Sequence, residues 1–205
     1  MDLIHQFNWR YAVKKTGGCI TSQKLGLIMD SIRASGSSFG LLPQTVFVID
    51  KPEQLNSIFP PDGQEIKRPT HLIVFSAWTS ICHDNINEII AHTASTNGLS
   101  LDHMEDYKTT MKLLLKHPED FILKWCSKQA YMALGIGLSA AAGQKVDNTP
   151  IEVFDHHAID KILNLKNKGL TSIVLLALGH DDSSVHSDKI DQIKDQTEKQ
   201  YTYMD

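Results

Sequence analysis

Cysteine is scarce. Cys19, Cys82 and Cys126 are the only three in 205 residues, an odd number set far apart. That spacing excludes a disulfide framework and a zinc knuckle, and it fits a reducing compartment. Long apolar runs are absent too. The longest, IVLLAL at 173–178, is far short of the roughly 20 residues that span a membrane. The N-terminal stretch MDLIHQFNWRYAVKK contains no continuous apolar segment, so it does not read as a signal peptide, and a soluble cytoplasmic protein is expected. Neither sign of charge dominates: 20 Lys+Arg against 24 Asp+Glu leave a net charge of −4. That balance withholds the broad basic field of a nucleic-acid-binding protein. No HExxH, GxxxxGK[ST] or GxGxxG occurs, which removes the usual zincin, P-loop and dinucleotide signatures.

What is present is an ordinary globular composition, 41% hydrophobic and 21% charged, of a size for one domain over residues 1–205. Leu25, Ile28, Met29 and Ile32 recur at i, i+3, i+4, i+7 and predict a helix over 22–35 capped by Ser22. SGSSFGLLP (35–43) breaks that period and reads as a loop. TVFVID (45–50), HLIVFSAW (71–78) and SIVLLALG (172–179) read as strands, the last two buried. A short helix is expected over 52–59, and longer ones over 84–97 and 101–115. Asn97-Gly98 marks a stop. A further helix follows Pro118 and runs to about Ala142. It is apolar nearly all round and rich in small residues, which suits the centre of a core or of a subunit interface. Asp155 caps a helix over 156–166. Residues 181–205, with seven acids and three lysines, read as a polar C-terminal arm. Helices around one small sheet give an α+β or α/β reading.

Candidate chemistry is thin when each residue is taken alone. Ten histidines invite a metal-hydrolase reading, but His156 and His157 are adjacent and point to different helix faces, and Asp155 is better explained as a cap. Cys126, between Trp125 and Ser127, reads as a small core residue rather than a nucleophile. Two segments look built for a ligand. In WRYAVKK (9–15), Arg10 and Lys14 stand four apart, a fork and a point charge able to meet one anion. In TPIEVFD (149–155), Pro150 forces an extended conformation before it. Glu152 then stands between apolar neighbours in a loop before a helix cap, where an acid is either paired or presented to a ligand.

Taken in order, WRYAVKK (9–15), SSFGLLP (37–43), WCSKQAYMALG (125–135), TPIEVFD (149–155) and GLTSIVLLALGH (169–180) resemble the nitroreductase family of FMN-dependent NAD(P)H oxidoreductases. Each motif is weak, but the ordered set spans almost the whole chain. The resemblance implies an α+β nitroreductase-like fold: a central antiparallel or mixed sheet flanked by helices, with a long central helix, in an intertwined homodimer. It implies FMN at the subunit interface, with Arg10 on its phosphate and Lys14 at the pyrimidine end of the ring. Tyr11 and Ala12 would give backbone contacts. Ser37, Ser38 and Gly40 would reach the flavin of the other subunit, Pro150, Ile151 and Glu152 would line the ring edge, and Lys194 would stand near the phosphate. The partners implied are NAD(P)H and a nitroaromatic, quinone or similar acceptor, with no nucleic acid and no membrane.

The chain departs from that pattern at several positions. Gln192 and Lys194 stand where the family carries a Lys-x-Arg pair, and Val153 stands where it carries Gly. Without a gap, Asp62 and Glu65 fall where the family offers Asn and Lys or Gln to the flavin; a local gap brings in Gln64 or Lys67 instead. These changes motivate a second reading, a flavin-binding protein with little turnover that serves as a sensor or store.

Overall fold

The computed structural model describes residues 6–7, 19–58 and 69–179. The helices are α1 (Ser22–Arg33), α2 (Pro52–Ile58), α3 (His83–Asn97), α4 (Glu105–Lys112), α5 (Glu119–Gly143) and α6 (His156–Ile162). The strands are β1 (Gln44–Ile49), β2 (His71–Trp78), β3 (Asp147–Ile151) and β4 (Leu170–Gly179). They form one sheet of order β1-β2-β4-β3, antiparallel at every pairing. The α+β architecture with a long helix agrees with the expectation from sequence, and of the two sheet types the antiparallel one is found.

Most elements lie where periodicity placed them, and the differences have local causes. Thr21 rather than Ser22 caps α1, its hydroxyl accepting from the Lys24 N–H at 3.3 Å. The helix expected over 101–115 is α4 flanked by 3-10 turns at Leu101–Met104 and Leu113–Lys116. Asp155 caps α6 through the Ala158 N–H at 3.0 Å, but the helix stops at Ile162, since Asn164 turns left-handed with φ 53°. The main addition concerns residues 147–151, which form a fourth strand that the sequence reading did not include, while Glu152 lies just beyond it as expected. Pro150 hid the strand, because proline reads as a strand breaker, yet β3 is an edge strand and needs no N–H on its outer side.

The sheet has core on both faces because side chains alternate along its inner strands. Ile73, Phe75, Val174, Leu176 and Leu178 pack under α1 and α5 with Ile28, Ile32, Ala130, Ala133 and Leu134. Leu72, Val74, Leu175 and Ala177 pack on the other face with Leu55, Ile151 and Ile159. A third cluster joins α3, α4 and the first half of α5, and includes Leu41, Ala77, Met111 and Cys126. β2 and β4 slip register between Phe75 and Ser76, and the buried Ser76 hydroxyl donates to the Thr45 carbonyl at 2.6 Å.

α5 is apolar all round for two different reasons. Its inner face is the roof of the sheet: a Cβ at Gly137 would stand 3.1 Å from Ile32 Cδ1 and 3.3 Å from Leu176 Cδ2. Its outer face leaves Tyr131, Met132 and Ile136 exposed. Among the described residues no helix is long and apolar enough to cross a membrane.

Two outcomes follow from this packing. Gly137→Val overfills the α1–α5–β4 contact and lowers unfolding stability by about 1–3 kcal/mol in urea denaturation. Burial pushes the Cys126 thiol up to about 12, while Cys19 and Cys82 are exposed. A thiol titration of the native protein at mildly alkaline pH therefore finds Cys19 and Cys82 reactive and Cys126 silent until denaturant is added.

Candidate functional site

Among the described residues, the loop between α1 and β1 brings three left-handed backbone positions close together. α1 ends at Arg33, Ser37 is extended, and Ser38–Gly40 forms a single 3-10 turn. Phe39 (φ 59°), Gly40 (φ 56°) and Leu42 (φ 46°) all sit in the left-handed region. Gly40 does so freely, whereas Phe39 and Leu42 are strained by about 1–2 kcal/mol each. Such strain persists only where surrounding contacts over-determine it, and that is a reason to look there for function.

The contacts are specific. The Ser37 hydroxyl accepts from the Leu42 N–H at 3.0 Å, and the Ser37 carbonyl accepts from the Gly40 N–H at 3.1 Å. Leu41 is fully buried. The Pro43 carbonyl accepts from the Trp78 N–H at 3.1 Å, tying the loop to the end of β2. The Phe39 ring packs against Tyr107 of α4 and Trp125 of α5, with both centroids at 6.4 Å. Ser38 and Gly40 remain exposed and Ser37 half-buried. The letters Gly36-Ser37-Ser38-Phe39-Gly40 also fit a Gly-x-Ser-x-Gly nucleophile elbow. An elbow needs a strand before its serine and a helix after it; here α1 precedes and β1 follows, so that reading fails.

The second predicted segment lies at the opposite edge of the sheet. Pro150 pairs with Leu176 and Ile151 with Leu175, after which Glu152 leaves the strand exposed. Val153, where the family carries Gly, is 96% exposed. The Glu152 carboxylate lies beside the Tyr131 phenol of α5. Partial burial first, and then hydrogen bonding to Glu152 and its negative charge, hold the Tyr131 pKa above its ordinary value. The acid between apolar neighbours is thus a partnered one.

Ser37, Ser38 and Gly40 are therefore brought together, and so are Pro150, Ile151 and Glu152, but the two groups flank β1 and β3 respectively. Three strand spacings of about 4.8 Å separate those edges. Arg10, Tyr11, Ala12, Lys14 and Lys194 lie outside the described residues, as do Asp62, Gln64, Glu65, Lys67 and Gln192. Gln6, four residues before Arg10, packs over the C-terminal end of α5, its Oε1 3.3 Å from where a Cβ of Gly143 would stand. Sequence reasoning missed Gln129 and Tyr131. The available signal was polarity at helical spacing within an otherwise apolar helix. Among the described residues, no three of His, Cys, Asp and Glu gather to hold a metal ion.

No family model matches the chain. It is 27% identical over 195 residues to a Bacillus subtilis protein whose name places it with the NAD(P)H nitroreductases, covering 87% of this chain and 88% of that one. It is 25% identical over 189 residues to the major NAD(P)H-flavin oxidoreductase of Aliivibrio fischeri, covering 87% of each. Among solved structures, a Bacillus subtilis protein assigned to the nitroreductases superposes with a TM-score of 0.80 at 16% identity, over 98% of both chains. One from Exiguobacterium sibiricum, solved in complex with FMN, superposes with a TM-score of 0.74 at 14% identity, over 89% of this chain and 90% of that one.

The strained serine loop is held by ordinary hydrogen bonds. Ser37→Ala removes the acceptor of the Leu42 N–H and lowers stability by about 1 kcal/mol in urea denaturation. A shift in denaturation midpoint no larger than that of an exposed Ser→Ala elsewhere would show that the loop does not depend on this bond. In sequence the relatives of this chain are NAD(P)H nitroreductases and flavin oxidoreductases, and in architecture it has the nitroreductase fold.

Proposed function

We propose that the chain is an FMN-dependent oxidoreductase that acts as a homodimer, drawing reducing equivalents from NAD(P)H. The observation that supports this reading is the placement of the serine loop and the Pro150–Glu152 segment beside β1 and on β3, the two edge strands, with Tyr131, Met132 and Ile136 exposed on α5 between them in sequence. In this reading the serine loop and the Pro150–Glu152 segment of one copy serve two different flavins. A second copy seated on α5 brings one chain's serine loop toward the other's Pro150–Glu152 edge and covers the apolar face.

The described residues fit a flavin. Ser37 and Ser38 offer neutral hydroxyls, and Gly40 and Pro150 keep the approaches low. The Glu152 carboxylate lies beside the Tyr131 phenol, which keeps its proton, so the acid of this segment already has one hydrogen-bond partner on α5. Arg10 would hold the phosphate bidentately, joined by Lys194, and Lys14 would place a cation at the pyrimidine end. The chemistry FMN supplies when bound is two-electron transfer, in from NAD(P)H and out to a nitroaromatic, quinone or enone, the two substrates using one slot in turn. The protein's part is orientation and charge, which is why no acid-base triad is needed. In this reading the helical region 84–117 shapes that slot.

The purified protein is expected to be yellow, and to bleach with NADH or NADPH and recover its colour with a quinone. A colourless protein that takes up no added FMN would sink the reading, while bleaching without reoxidation by any acceptor would favour the low-turnover alternative. Arg10→Ala is expected to weaken FMN retention. Lys14→Ala weakens it or lowers the flavin potential, since a cation beside the ring favours the reduced anion. Binding titration and potentiometry of the two variants measure both effects.

A further inference from the structure

Among the described residues, the buried face of α5 carries one amide, Gln129, which is only 3% exposed. A buried amide is costly unless its polar atoms are bonded. Its Oε1 accepts from the Ser38 backbone N–H at 2.9 Å, across 91 positions of sequence, and its Nε2 reaches the Trp125 carbonyl at a long 3.4 Å. Ser38 opens the turn in which Phe39 and Gly40 are left-handed.

We propose that Gln129 is the positioning residue of the serine loop. This rests on the reading that the loop meets FMN. The amide fixes the peptide between Ser37 and Ser38 from inside the core. With that peptide fixed, Phe39 is carried into its left-handed conformation and its ring into the contact with Tyr107 and Trp125. The same bond consumes the Ser38 N–H. The hydroxyl hydrogens of Ser37 and Ser38 are then among the donors left to the loop: Ser37 Oγ already accepts from Leu42 and keeps its own hydrogen to donate. In this proposal Gln129 acts through the loop, not by contacting the flavin. It acts by selecting which donors the loop presents, and the Phe39–Tyr107 contact links that selection to α4, which faces the substrate slot under the same reading.

The test begins with the flavin-free wild-type protein. Its Ser38 amide hydrogen, followed by NMR exchange, is protected to the degree of helix amides. Exchange at the free-peptide rate overturns the proposal whatever happens to any variant. Gln129→Met keeps the volume and removes the amide. It is expected to speed Ser38 exchange and to raise the Kd for FMN, measured by fluorescence quenching, about tenfold. Adding Ser37→Ala to it costs less FMN affinity than Ser37→Ala does alone, because both changes release one loop. Ile28→Val, a buried change under α5 and away from the loop, lowers Tm and leaves the FMN Kd unchanged. Gln129→Glu retains an acceptor and restores Ser38 protection. If Gln129→Met leaves both Ser38 exchange and the FMN Kd at wild-type values, or if Ile28→Val raises the Kd as much, the positioning role is wrong. A wild-type protein that takes up no FMN but keeps its Ser38 amide protected overturns the flavin reading alone.

Discussion

At Gly137 the helix Glu119–Gly143 comes down onto the sheet so closely that a methyl group would press on Ile32 at 3.1 Å and on Leu176 at 3.3 Å. Dense packing of this kind leaves a helix little freedom to roll about its axis. The roll of α5 decides much of what lies on the surface. It points Ala130, Ala133, Leu134 and Ala141 into the core and sends Gln129 inward toward the serine loop. It leaves Tyr131, Met132 and Ile136 facing out. The helix therefore serves as core roof on one side and, among the described residues, as exposed apolar surface on the other.

The serine loop shows how such a scaffold supports backbone strain. Two non-glycine residues in left-handed conformations would relax in an isolated peptide. Here a buried side chain (Leu41), an internal cap (Ser37 to Leu42) and a bond to α5 (Gln129 to Ser38) hold them together. No single contact is large, and each hydrogen bond contributes about 1 kcal/mol net. Their joint effect is to give a surface loop one defined shape, which a pre-organised binding segment requires.

The electrostatics are local rather than global. A net charge of −4 says little, because what matters near the proposed ring edge is one pair, Glu152 beside the Tyr131 phenol, whose proton the carboxylate helps to hold. Placing the half-sites on opposite strands of a four-stranded sheet makes one chain an incomplete site under the proposed reading. The apolar outer face of α5 is then the place where a second copy would complete it.

Much of the fold was legible in the amino-acid order. Apolar residues at spacings 3 and 4 marked α1, unbroken apolar runs marked β2 and β4, and Gly98 and Asp155 marked ends, because these signals are local and physical. β3 was not legible: a proline inside five residues argues against a strand unless the strand is known to be an edge, and edge status belongs to the sheet. The roles of Gln129 and Tyr131 were equally hidden, since their partners Ser38 and Glu152 lie 91 and 21 positions away in sequence, and nothing local joins them. The sequence by itself determined the type of nearly every element and, through ordered motifs, the family that the chain resembles. Only the tertiary structure decided the strand order, the strained shape of the serine loop, and which polar atoms are consumed in the core and which face outward. Those depend on how α5 seats on the sheet, a contact between residues far apart in the chain.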